Sequence, residues 1–118
     1  MEAALQTIPR TAEEALPAPV GDRLARIAWL IARSHCVRLD DVLDGPGSDP
    51  ATANARAVAI ALGGSLMRSE PRDLARYFRV PQSAIESTCR DIAERAARDA
   101  QFRTTLNFLR SSCARALE

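Results

Sequence analysis

From Leu24 to Cys113 the apolar residues return every three or four positions, and no stretch alternates apolar with polar, so the pattern supports helices and offers no strand. The period breaks only at proline and glycine, and those breaks divide it into segments. Leu24, Ile27, Ala28, Leu30 and Ile31 share one face, with Arg23, Arg26 and Arg33 opposite and Gly21-Asp22 as the start. Leu39, Val42 and Leu43 support one or two turns before Gly45-Pro46-Gly47 forces a loop. Asp49 can cap the next helix with Pro50 in its first turn, and Val58, Ile60, Ala61, Leu62, Leu66 and Met67 form its apolar face. Gly63-Gly64 interrupts that face at a cost of about 1 kcal/mol per glycine, which points to a kink or, preferably, a tight contact with another helix. Ser69 and Pro71 open a short helix with Leu74, Ala75 and Phe78 inward, ending near Phe78 or Arg79. Pro81 restarts the chain, and Ile85, Cys89, Ile92, Ala93 and Ala96 keep helical spacing to about Arg98. Phe102, Leu106, Leu109 and Cys113 mark a last amphipathic helix. The expectation is an all-α domain of about six helices over residues 21–118. A flexible arm, residues 1–20, precedes it, where Pro9, Pro17 and Pro19 leave room for at most a short helix around Ala12 to Leu16.

A chain of 118 residues has room for one core, and 47% hydrophobic with 26% charged residues is an ordinary globular balance. No run approaches the roughly 18 apolar residues of a membrane span, and Met1-Glu2-Ala3 lacks the layout of a secretory signal, so a cytoplasmic protein is expected, with no membrane partner. Cys36, Cys89 and Cys113 are too few and too scattered for a disulfide framework or a zinc site; they read as buried or half-buried free thiols. His35 and Cys36 point about 100° apart on a helix, so His35 reads as a helix-end group near the last carbonyls rather than a metal ligand. Asp40, Asp41 and Asp44 lack the ligand spacing of a calcium loop. Trp29 is expected in the core, the alternative being an exposed apolar patch of the kind found at contact hot spots. With one histidine, no G-x-x-x-x-G-K-[ST] and no nucleophile beside a base, neither catalysis, nor a nucleotide cofactor, nor a bound metal is expected.

The net charge is only +1, and every basic side chain is arginine. Its distribution is uneven. Residues 1–50 carry five arginines against eight carboxylates, whereas residues 51–90 carry six against three. The positive middle coincides with the most specific pattern in the chain. Leu74, Ala75, Phe78, Val80 and Ile85 match a helix-turn-helix: Ala75 is the small residue where two helices cross, Val80 fills the turn, and Ile85 anchors the second helix ten residues after Ala75. Gln82 and Ser83 then face outward at the leading end of the second helix, where base edges are met; Gln suits adenine and Ser is permissive. With Glu86 they are the candidate base-contacting residues. Arg56, Arg68, Arg72, Arg76, Arg79 and Arg90 are the candidate phosphate contacts. The alternative is that these arginines form a solvated helix face. The turn commonly holds glycine where this chain has Arg79, so a left-handed backbone there is strained and a different turn geometry would relieve it.

Residues 24–113 resemble the C-terminal DNA-binding domain of the bacterial replication initiator DnaA. The family's R-x-x-A-x-x-L helix is matched by Arg56, Ala59 and Leu62, and the second half of its L-x-x-I-G-x-x-F segment by Leu74, Ala75 and Phe78. Arg90 and Ile92 resemble the basic-then-apolar pair of its recognition helix, and Phe102, Leu106 and Leu109 its final helix. The resemblance implies six helices, a Trp-repressor-like core and a recognition helix that enters the major groove. The chain departs from the family at two places. The G-G-R-D-H-T-T-V signature is replaced by Arg79-Val80-Pro81-Gln82-Ser83-Ala84-Ile85, and the arginine-rich minor-groove loop by Asp44-Gly45-Pro46-Gly47-Ser48-Asp49-Pro50. No nucleotide-binding ATPase precedes the domain in this sequence, so the expectation is a divergent stand-alone relative. It would bind double-stranded DNA, with recognition of the initiator's own site altered or lost, regulate transcription or replication, and sit at the nucleoid. The rival expectation is an adaptor that uses the same fold to dock on another protein or on itself, which the acidic first third and near-neutral total favour.

Overall fold

A computed structural model describes residues 18–44, 49–67 and 70–117. The expectations for Met1 to Pro17, for the Gly45-Pro46-Gly47 loop, for Arg68 and for Ser69 fall outside the described residues. Among the described residues six helices follow one another: α1 Ala18–Ser34, α2 Leu39–Asp44, α3 Pro50–Met67, α4 Pro71–Phe78, α5 Gln82–Arg98 and α6 Ala100–Ala116. Among the described residues there is no strand. The first helix starts four residues before Asp22, because Pro19 falls in its first turn, where a missing N–H costs nothing. Residues 18–20 therefore belong to α1 and not to an arm.

Local chemistry explains most of the boundaries. Asp49 caps α3: its carboxylate accepts the Thr52 N–H at 2.6 Å and the Thr52 hydroxyl at 3.2 Å, and these bonds hold the carboxyl below its usual pKa. Glu70 stands before α4 in extended conformation without a side-chain cap, and Pro71 supplies the first-turn preorganisation. Pro81 precedes α5 in the same way. Asp99, a one-residue extended break, ends α5 and caps α6 by accepting the Phe102 N–H at 3.1 Å.

Helix α3 is the hub, touching all five others. It runs unbroken through Gly63 and Gly64, so the pair is a contact and not a kink. A methyl group at Gly63 would lie 3.0 Å from Leu24 Cδ2 and 3.2 Å from Leu74 Cδ2, which shows how closely α1 and α4 press on this point. Leu24, Ile27, Ile31, Val58, Leu62, Leu74, Phe78 and Ile85 form the fully buried centre. Trp29 is not in it. The indole is 47% exposed on α1, with the Arg33 guanidinium 5.2 Å from its centroid. Cys36 is exposed rather than buried, whereas Cys89 and Cys113 are half-buried and buried, and burial pushes both thiols up and keeps them protonated.

Candidate nucleic-acid interface

The α4–α5 unit is built as the sequence requires. Leu74, Phe78 and Ile85 are fully buried, Ala75 and Val80 are half-buried between them, and the two helices pack on each other. Tyr77, absent from the expected inward set, is also buried and meets the Phe78 ring edge-on at 5.2 Å. The turn is tight: Val80 donates its N–H to the Ala75 carbonyl at 3.1 Å. That closure places Arg79 at φ 59°, ψ 48°, so the left-handed conformation is kept and no alternative turn relieves it.

This turn sets the leading end of α5 at the surface. Gln82, Ser83 and Glu86 are all exposed, and the Gln82 amide donates from Nε2 to Glu86 Oε2 at 3.5 Å. Around them Arg72, Arg76, Arg79 and Arg90 are exposed. Arg72 pairs with Glu70 at 3.3 Å; both side chains are about two-thirds exposed, so the pair is weak, and a phosphate can take the guanidinium over. Further along α5, Ser87, Arg90 and Glu94 continue the face of Ser83 at helical spacing, and Asp91 and Glu94 are exposed. These two carboxylates were readable in the sequence and passed over. They place negative charge beside the exposed Arg90, Arg95 and Arg98, so the second half of α5 carries both signs.

Arg56 is a correction. It is 9% exposed, and its guanidinium donates to the backbone carbonyls of Val42 and Phe78 while lying 5.9 Å from the Phe78 ring. Both carbonyls belong to the last turns of helices, where they have no partner of their own. The side chain is thus an internal tie and does not reach a surface phosphate. His35 sits as expected at the end of α1, its Nδ1 2.9 Å from the Ile31 carbonyl.

Elsewhere, a cleft of about 760 Å³ runs between α3, α4, α5 and α6, walled by groups such as Gly64, Leu74, Cys89 and Leu106 with Glu86 and Arg110 among its polar lining. No group of three or more His, Cys, Asp or Glu among the described residues could hold a metal ion. No helix among the described residues is long and apolar enough to cross a membrane.

No protein-family model matches the chain, and no curated protein matches it. A solved structure does. The crystal structure of DNA replication initiation factor, DnaA, superposes with a TM-score of 0.77 over 85% of this chain, at 22% sequence identity. The chain spans 30% of that protein, in its C-terminal domain region. The fold is therefore the all-helical fold of that domain.

Proposed function

We propose that this chain, with the fold of the initiator's C-terminal domain, is a DNA-binding helix-turn-helix module that acts by binding and not by catalysis. The observation that carries the reading is the exposed leading end of α5, Gln82 and Ser83, set among the exposed arginines Arg72, Arg76, Arg79 and Arg90. Phosphate contacts by those arginines would fix the register while Gln82, Ser83 and Glu86 meet base edges in the major groove. The changed sequence at Arg79 to Ile85 supports a site different from the initiator's own. The process served would be regulation of transcription or replication, at the nucleoid.

The test is fluorescence anisotropy with a mixed-sequence duplex across a salt series. Four phosphate contacts give a slope of log affinity against log salt of about −3 to −4. Replacing Arg72 and Arg76 together by Ala lowers affinity for all sequences and flattens the slope by about two units, whereas Gln82→Ala relaxes preference at one position. A flat, weak response in the native protein would overturn the reading. It would favour the adaptor instead, for which the exposed Trp29, a residue type enriched at contact hot spots, is the supporting observation.

A further inference from the structure

Glu86 is the only acidic residue in the first two turns of α5, and it stands one turn behind Gln82 on the exposed side of the helix. A carboxylate there is an expensive choice. Major-groove insertion brings it between two rows of phosphates and strips its water, and neither guanine O6 and N7 nor thymine O4 can donate a hydrogen bond to it. The cost is recovered only where a base offers an amino group, adenine N6 or cytosine N4; adenine's neighbouring N7 is an acceptor that repels the second carboxylate oxygen, so cytosine N4 is the donor that suits a Glu side chain. Within the protein its one polar contact is the weak 3.5 Å bond from the Gln82 amide. That bond turns Nε2 toward Glu86 and engages one carboxylate oxygen of a side chain that is exposed and also borders the cleft beside α6. Arg90, one turn further on, is exposed and makes no ion pair with Glu86.

We propose that Glu86 is a cytosine-selecting residue of the recognition surface, which works chiefly by repelling duplexes that lack an amino donor opposite it. The inference rests on the DNA-binding reading. Selectivity then arises from a penalty on wrong sequences, so removal of the carboxylate strengthens binding to random DNA while it abolishes the preference. An ordinary favourable contact behaves in the opposite way, since its loss weakens binding to the preferred site and leaves random DNA unaffected.

The experiment uses the full chain. A pool of randomised duplexes is selected with the native protein, and the recovered site is titrated by anisotropy alongside copies in which each C·G pair is changed in turn to T·A. The native protein is expected to lose about tenfold or more at one such position. Glu86→Ala is expected to bind the two duplexes at that position equally and to bind random duplex several-fold more tightly than native protein. Glu86→Gln is expected to move the preference there to adenine. Because Glu86 is exposed, circular dichroism melts of both variants should overlay the native curve. Native protein that binds DNA while Glu86→Ala keeps every base preference, or loses affinity for random duplex, overturns this inference and leaves the binding reading intact. Native protein with no salt-dependent affinity overturns both.

Discussion

Among the described residues two other than glycine hold a left-handed backbone, Cys36 at φ 57° and Arg79 at φ 59°. They occupy the same place in the same device. Val37 donates to the Ala32 carbonyl at 3.0 Å and Val80 to the Ala75 carbonyl at 3.1 Å, so each residue sits just past a helix end where glycine is the usual occupant. A side chain in that conformation costs roughly 1–2 kcal/mol. At Arg79 the strained residue also carries an exposed guanidinium beside the leading end of α5, so the cost is explained if the charge is needed there. Arg79→Gly should therefore raise stability by about 0.5–1 kcal/mol once the greater freedom of unfolded glycine is allowed for. It should at the same time weaken DNA binding and flatten the salt dependence by about one unit. Cys36→Gly should give the same gain in a thermal melt with unchanged binding. If Arg79→Gly is more stable and binds as tightly as the native chain, Arg79 touches no phosphate.

The elements were legible wherever a local signal decides. Apolar spacing and the Asp49, Pro71 and Pro81 starts place α3, α4 and α5 to within a residue or two, because caps act over three or four positions. What was not legible depends on partners distant in the chain. Arg56 bonds to residues 14 and 22 positions away, and its sequence context is that of any surface arginine on a helix. Trp29 lies only one turn from buried residues, and periodicity alone does not tell the edge of an apolar face from its centre. The glycine pair in α3 sits between these extremes, since its presence was visible and its neighbours were not. Leu24 and Leu74, which Gly63 faces at 3.0 and 3.2 Å for a built methyl group, are fully buried, and Leu24, the nearer, does not border the open cleft as Leu74 does. Gly63→Ala should gain about 1 kcal/mol of helix propensity and lose about 1–3 kcal/mol to overpacking, for a net loss of stability. Gly64→Ala meets only Leu74 Cδ1, at 3.3 Å, beside the open cleft, and should be neutral or slightly stabilising. Urea denaturation of the pair gives the order, and a Gly63→Ala protein more stable than Gly64→Ala would mean that the leucines do not converge on α3 as described.

At the scale of the molecule, arginine does two jobs, and only one faces outward. Arg56 meets the last turns of α2 and α4, Arg103 donates to the Ala96 carbonyl near the end of α5 at 2.8 Å, and Arg26 donates to the Ala116 carbonyl at the end of α6 at 3.2 Å. Cations thus stand at the negative poles of four helices, satisfying carbonyls that no helix can satisfy for itself. A count of arginines is for this reason a poor measure of a nucleic-acid surface. The ties differ in what they carry. Arg26 and Arg103 are exposed, and water replaces their bonds when they are cut, so Arg26→Ala and Arg103→Ala should each cost less than about 1 kcal/mol. Arg56 is buried and binds carbonyls on two different helices, one in the element before α3 and one at the turn that aims α5. Arg56→Met keeps much of the apolar stem, leaves both carbonyls unpaired in the interior, and should cost about 2–5 kcal/mol in urea denaturation. Arg56→Lys, a single point donor that cannot span both carbonyls, should fall between Met and native. At temperatures where the Met variant is still folded, its salt slope with duplex DNA should equal that of the native chain, because the side chain makes no phosphate contact. A slope reduced by one unit with stability unchanged would return Arg56 to the surface and undo the account of α3 as the post to which α2 and the end of α4 are tied.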